Sequence, residues 1–342
     1  MWSSGAVLAG VLFGVGLTIG WVRHVENSGA PAAPPDGASR VRTAAAQIAT
    51  GLPVAVTQIR SSRTGLSHPL LFCDDAAADN RVDALHDAAN GVLVAARATG
   101  ALQHASIVYR ALEAGRGFEI DGQRHYHPAS LLKLPLAIAW MRHAESNPGV
   151  LARKLPYNNQ TLRESADTPG ALVSGESYSA RELLERMIRW SRNDAKAILA
   201  QELGEGPVKE VYAQLEIAWP FGSPNVDPEL SAHEYSRLFR VIYDASMLHP
   251  TAADELLQML ARTEYEPALR AGVPSGTQIA HKWGHRLLKE PGQQGVHQLH
   301  DCGIVYQPGR PFLLCVMTSG RDELSLAKVI ADVARKAWDA GL

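Results

Sequence analysis

Apolar positions along the chain change period several times, and each change predicts a different element. Val82, Leu85, Ala89, Val92 and Ala96 recur at helical spacing, and Gly100 closes the helix they predict. Alternation takes over at residues 106–112 and 118–125, and Ala114-Gly115-Arg116-Gly117 between them predicts a hairpin. Helical spacing resumes near Pro128 and holds through nearly all of residues 130–265. Two capping boxes punctuate that stretch, Ser179-x-x-Glu182 and Ser231-x-x-Glu234, in which serine and glutamate satisfy each other's orphan backbone N–H groups. Beyond Pro274, strand patterns follow at 277–282, 297–307 and 311–319, and an amphipathic helix over 322–338 closes the chain. Two strands, a helical insert, three strands and a helix predict an α+β fold. Its expected form is one five-stranded antiparallel sheet flanked by terminal helices, with an all-helical lobe alongside.

The N-terminus has a different pattern. Residues 5–22 carry no charge, close to the roughly 20 residues that span a bilayer core, and Trp2 and Trp21 bracket them. Gly10/Gly14 and Gly16/Gly20 add small-xxx-small spacings. A membrane anchor and a cleaved signal peptide both fit. The anchor is favoured because no basic residue precedes the run and Pro31 follows the small-residue site Ser28-Gly29-Ala30. The stretch NSGAPAAPPDGASR then reads as a tether that cannot pack a core. The expected organisation is an anchor or signal over 1–26, a tether and poorly patterned segment over 27–60, and one folded domain over 61–342.

Composition narrows the choices. Apolar residues make up 46% and charged residues 20% of 342, enough for a full-sized core without staples. The formal charge is −2 and the cations are dispersed, which argues against a nucleic-acid partner. Three cysteines make no disulfide framework. A symmetric turn at Gln307-Pro308-Gly309-Arg310 sets Cys302 opposite Cys315. Directly opposed cysteines favour two buried apolar thiols over a strained bridge, and Cys73 stands alone. His125-x-His127 places two imidazoles on one side of a strand without further ligands nearby, so they read as strand-end histidines. No metal and no cofactor is expected.

The residues that promise chemistry begin with Ser130-Leu131-Leu132-Lys133. Three residues along a helix return serine and lysine to one face. A serine hydroxyl needs a base, and a lysine serves when its charged form is disfavoured. Burial among Leu131, Leu134 and Ile138, and the positive end of the helix, both act in that direction. By itself S-x-x-K is a weak signal. Ser191-Arg192-Asn193 follows just past a helix end, and Lys282-Trp283-Gly284 lies on a predicted strand.

In that order the three resemble the S-x-x-K, S-D-N and K-T-G signatures of class A β-lactamases and penicillin-binding proteins. The phrases PASLLKLP, MIRWSRNDA and DCGIVYQPGRPFLLCVMTSG extend the resemblance over about residues 80–342. It implies that Ser130 attacks a β-lactam or peptide carbonyl and that Lys133 accepts its proton. Ser191 would pass a proton to the leaving nitrogen, and Lys282 would assist it and attract a substrate carboxylate. Asn193 would bind the acylamide side chain, and Gly284 would line the substrate strand. The backbone N–H groups of Ser130 and His285 would form the oxyanion hole. The implied partner is a β-lactam or a peptidoglycan peptide, met outside the cytoplasm by a membrane-tethered domain, or a secreted one if the leader is cleaved.

Three departures complicate that picture. Arg192 replaces the middle Asp of S-D-N, which puts the loop geometry in doubt. Trp283 replaces a hydroxyl that would hold the carboxylate, with His285 or Arg286 as compensators. The E-x-x-L-N pattern, whose glutamate activates the deacylating water, has no counterpart. Asp227 and Glu229 are the nearest acids, read either as a substitute base at Asp227 or as first-turn acids favoured by a helix dipole. The functional readings are therefore a β-lactamase, a DD-peptidase-like enzyme, and a weakly active penicillin- or peptidoglycan-binding protein.

Overall fold

The computed structural model describes residues 58–73, 80–158, 167–221, 227–289 and 292–342. The N-terminal apolar run and the tether lie outside the described residues. Among the described residues no helix is long and apolar enough to cross a membrane.

The centre of the fold is the strand β11 (Phe312–Gly320), buried at every position. Its apolar run Phe312–Met317 is what a strand covered on both faces requires. It pairs antiparallel with β3 (Leu102–Ala111) and β10 (His297–Val305), and β4 (Gly117–Ile120) and β9 (Ile279–Leu287) form the edges, in the order β4-β3-β11-β10-β9. The predicted five-stranded sheet is therefore present. The second predicted strand is shorter than its pattern, ending at Ile120.

One face of the sheet packs on the terminal helices α1 (Asn80–Ala98) and α8 (Glu323–Ala340), through Leu85, Leu93, Leu326 and Ile330. The other face meets the helical lobe. In chain order this lobe contains α2 (Lys133–Ser146), α3 (Ala180–Arg189), α4 (Asn193–Leu203), α5 (Gly206–Gln214), α6 (Ala232–Tyr243) and α7 (Pro250–Ala261). Both predicted capping boxes start their helices, Ser179 with Glu182 and Ser231 with Glu234.

Short ribbons interrupt the lobe where helical spacing had been expected throughout. β6 (Lys154–Pro156) pairs with β7 (Ser177–Ser179), and β5 (His125–Tyr126) with β8 (Leu230–Ser231). A further ribbon, β1 (Gln58–Arg60) with β2 (Leu70–Cys73), ties the start of the folded body to the lobe. Arg60 anchors it, donating to the carbonyl of Leu112 at 2.7 Å and pairing with Asp244 at 2.8 Å. The folded body thus reaches at least to Gln58.

The β10–β11 turn is the predicted symmetric one. Arg310 N–H donates to Gln307 O at 3.0 Å, and Gly309 takes φ +72°, a value glycine adopts without strain. Cys302 therefore faces Cys315, and the two form a disulfide, correcting the expectation of free thiols. The opposition that makes strain an objection also holds the two sulfurs in reach. The row across the sheet runs Lys282, Cys302, Cys315, Val108, so the bridge lies beside the strand that carries Lys282.

Candidate active site

Ser130 lies in a 3-10 turn, Ala129–Leu132, and the α-helix proper starts at Lys133. A 3-10 turn repeats every three residues, so it eclipses positions i and i+3 more closely than an α-helix would. Lys133 consequently stands over Ser130, its Nζ donating to Oγ at 3.0 Å. Ala129 enters the turn at φ +49°, a left-handed conformation uncommon for a residue with a Cβ. It is held there by its N–H donating to His127 Nδ1 at 3.0 Å. Tyr235 of α6, fully buried, donates its hydroxyl to Leu131 O at 3.1 Å from beneath.

Ser191 falls in the three-residue link between α3 and α4, also left-handed at φ +57°. Its Oγ accepts from Lys133 Nζ at 3.0 Å and from Lys282 Nζ at 3.0 Å. Lys282 is on the edge strand β9 and donates to Trp283 O as well. Ser130, Lys133, Ser191 and Lys282, scattered over the chain, therefore form one continuous hydrogen-bonded line. Both lysines are almost wholly buried, at 1% and 0% exposure. Burial, with the neighbouring Lys133 as a second cause, drives the Lys282 ammonium well below the usual lysine range.

Gly284, two residues on, presses β9 against the nucleophile turn. A Cβ there would lie 3.0 Å from Pro128 O and from Ser130 N, both backbone. Asn193 is the first residue of α4 and exposed beside Ser191. His285 follows Gly284, and its imidazole is turned to His297, 2.9 Å away in a stacked pair. Burial lowers the His285 pKa, opposed by Glu323 and assisted by His297.

The departures from the signature have structural counterparts. Arg192 is buried and forks onto Asp194, Nη2 to Oδ2 at 2.5 Å and Nε to Oδ1 at 3.1 Å. The acid missing from the middle of S-D-N stands two residues later, and the doubt about the loop resolves into a buried ion pair. Trp283 shares a row with Asp301, Val316 and Ile107 on the face of the terminal helices, opposite to Lys282 and Gly284. Its ring stacks on Tyr265 at 4.0 Å and 14°. Neither suggested compensator is unengaged: His285 is paired with His297, and Arg286 donates to Asp227 Oδ2 at 2.7 Å. Asp227 is exposed, held by that arginine, with its other oxygen 4.0 Å from His127 Nε2.

Sequence reasoning read His127 as a strand-end histidine and did not find the frame around it. Its N–H donates to Gln298 Oε1 at 3.0 Å, and its carbonyl accepts from His300 Nε2 at 3.1 Å. His300 is fully buried, pairs across the strands with Gly284, and burial drops its pKa to about 4. On the terminal-helix face of the sheet, His281 of β9 and Asp301 of β10 form a buried pair at 2.9 Å. The signal was present in the alternation of HQLHDCGIV, where His300 falls on the lobe face and Asp301 on the other. Among the described residues no group of three or more His, Cys, Asp or Glu is arranged to hold a metal.

Comparison with known proteins gives the family and the fold of the chain. The profile of the family described as "Beta-lactamase enzyme family" matches residues 87–340. No curated protein matches the chain. Among solved structures, a β-lactamase from Chitinophaga pinensis is 23% identical, covering 76% of this chain and 100% of its own with a TM-score of 0.64. The TLA-1 extended-spectrum β-lactamase is 20% identical over 76% of this chain and 98% of its own, with a TM-score of 0.65. A variant of PBP-A, captured as an acyl-enzyme complex with penicillin G, is 22% identical over 75% and 96%, with a TM-score of 0.62. At these identities the likeness is one of fold.

Proposed function

The chain belongs to the β-lactamase enzyme family, and on that premise we propose that it is a serine hydrolase that opens β-lactam amides through an acyl-enzyme on Ser130. The observation that carries this reading is the unbroken line from Ser130 Oγ through Lys133 Nζ and Ser191 Oγ to Lys282 Nζ, each link 3.0 Å. Two buried amines that share one hydroxyl resist carrying two charges, because each penalises the other and water is excluded. A substrate carboxylate arriving beside Lys282 favours an ammonium there. A proton then leaves Lys133 for Ser191 Oγ as the Ser191 proton passes to Lys282, and Lys133 becomes the neutral base. Lys133 takes the Ser130 proton as Oγ bonds to the carbonyl carbon. When the C–N bond breaks, Ser191 gives its proton to the nitrogen and is resupplied by Lys133. Ser130 N–H and His285 N–H receive the oxyanion, each such donor worth about 3 kcal/mol. Asn193 orients the acylamide side chain.

Release of the acyl group is less well supplied. Asp227, the nearest substitute for the missing glutamate, is exposed, and one of its carboxylate oxygens is already engaged by Arg286 at 2.7 Å. That observation favours a second reading, in which the acyl-enzyme is long-lived and the protein acts as a DD-peptidase-like or penicillin-recognising protein. The fold shared with PBP-A accommodates it. The test is to incubate the protein with a chromogenic cephalosporin and, separately, a fluorescent penicillin, beside Ser130→Ala. Turnover abolished in the variant supports the β-lactamase, whereas stable labelling without turnover selects the second reading. Neither signal in the wild type refutes both.

The Cys302–Cys315 bridge and the uncharged N-terminal run support a domain outside the reducing cytoplasm, tethered to the membrane or secreted.

A further inference from the structure

On the reading that His285 N–H receives the oxyanion, we propose that His297 is a positioning residue for acylation at Ser130. Hydrogen-bonded to His285, it holds the stretch of β9 that presents the donor, and it releases that stretch when both imidazoles are protonated. Gly284 is the reason this stretch needs an anchor. It lies against the Ser130 turn, where a Cβ would come within 3.0 Å of Ser130 N, and it has no side chain to fix it. β9 is moreover the sheet's edge strand, hydrogen-bonded to β10 on one side. A misplacement of about 1 Å at a catalytic group can cost on the order of 100-fold in rate.

Strand alternation turns Trp283 and His285, the two neighbours of Gly284, to the sheet face opposite the site. Both are gripped there. Trp283 stacks on Tyr265, and His285 Nε2 lies 2.9 Å from His297 Nδ1 with the two rings within 19° of parallel. His297 is in reach because the ladder pairs His285 with Leu299, which makes His297 the diagonal neighbour on the same face. Since the last rung of that ladder is Leu287 with His297, the imidazole bond also closes the end of the β9–β10 pairing.

A bond between two ring nitrogens needs one N–H and one lone pair, so its survival depends on the protons present. Two neutral rings supply both. One added proton is also accommodated: His285 then donates from Nε2 to His297 Nδ1, while its Nδ1–H faces Glu323 Oε2 at 3.5 Å. A second proton sets two N–H groups and two positive charges against each other, and the bond is lost. Glu323, at the start of α8, favours the first proton. Tyr265, whose hydroxyl is 3.4 Å from the other Glu323 oxygen, stays protonated because burial raises its pKa. On the opposite face of the sheet His300, with a pKa of about 4, is neutral over the same range. Burial and His297 lower the His285 pKa while Glu323 opposes them, which confines the doubly protonated pair to acid.

The experiment measures the second-order rate constant of acylation against pH, by fluorescent-penicillin labelling or by turnover of a chromogenic cephalosporin. It uses the full chain, His297→Ala and His297→Gln, with unfolding midpoints to establish that each variant is folded. His297→Ala removes the bond and should lower the rate constant about tenfold at about pH 7.5. A glutamine amide carries both a donor and an acceptor, one of which suits either state of His285. His297→Gln should therefore stay within about twofold of the wild type at about pH 7.5 and exceed it at least about threefold at about pH 5. The ratio of these two proteins cancels every titration they share, including that of the lysines, and it decides the matter if His297→Ala fails to fold. An unchanged rate constant in folded His297→Ala, or a ratio of His297→Gln to wild type that is flat with pH, overturns the proposal and leaves the Ser130 reading standing. A wild type that gives neither labelling nor turnover removes that reading and the proposal together.

Discussion

His300 gives the fold a specific sensitivity to acid. Its ring is sealed between Tyr126 and the nucleophile turn, with Nε2–H donated to the His127 carbonyl and Nδ1 accepting the Thr318 N–H at 3.3 Å. Protonation would put a second N–H against the Thr318 N–H, and burial already penalises the charge. The folded pKa is accordingly about 4, against 6.5 in an unfolded chain. Between those values the unfolded state binds the proton and the folded state does not, so stability falls as pH drops through this window. The full difference corresponds to about 3 kcal/mol, of which about 2 kcal/mol is lost between pH 7 and pH 5. His300→Gln keeps an N–H for the His127 carbonyl and cannot titrate. Urea denaturation of both proteins at pH 7 and pH 5 isolates the contribution from that of every other group. The variant should start about 1 kcal/mol less stable and then lose about 2 kcal/mol less than the wild type on acidification. Equal losses in the two proteins would refute the reasoning, because the buried imidazole would then not be the group that pays the charging penalty.

Other perturbations test other parts of the site. Asp194→Asn leaves the Arg192 guanidinium buried without its counter-charge and should cost about 3–5 kcal/mol by denaturant midpoint. Gly284→Ala places a methyl 3.0 Å from two backbone atoms of the Ser130 turn. It should lower the acylation rate about tenfold while costing about 1–3 kcal/mol of stability, both measured on the same preparation. Tyr235→Phe removes the donor to Leu131 O and should cost about 1 kcal/mol in the same assay. Replacing Cys302 and Cys315 together by alanine should cost no more than about 3 kcal/mol, since the hairpin already closes the loop they bridge.

The elements were legible where one physical cause dominates. The β11 run, the two capping boxes and the Pro308-Gly309 turn each depend on neighbours in sequence, and each stands where local pattern predicts it. The ribbons β5–β8 and β6–β7 were not legible, because their two- and three-residue strands pair across long stretches of chain. Ser130, Lys133, Ser191 and Lys282 were legible as a set, though spacing alone connects only the first two. Their convergence depends on the left-handed link at Ser191 and on a row of the sheet, and neither shows in the amino-acid order. The disulfide was misjudged for a related reason: the register was right, but register does not determine whether two opposed thiols bond.

The Arg192–Asp194 pair shows how a departure from a signature should be weighed. Read alone, an arginine in the middle of S-x-N places an uncompensated charge at the hinge of two helices. A buried guanidinium persists only with a carboxylate in reach, and the first such residue is Asp194 in the same turn. The pair is extended by Arg192 Nη1, which donates to Thr168 Oγ1, and by Ala195 N–H, which donates to Asp194 Oδ1, so it braces the backbone directly after Ser191. The same reasoning applied to Asp227 gives the opposite result. There a carboxylate sits near the nucleophile turn, but it is exposed and its Oδ2 is occupied by Arg286. A signature residue can thus be lost without consequence when its charge is relocated. A replacement in roughly the right place cannot restore a function when its charge is already spent. By this criterion the proposed acylation at Ser130 has its hydrogen-bonded partners in place while the proposed water activation at Asp227 does not, and the two proposals are separable by experiment.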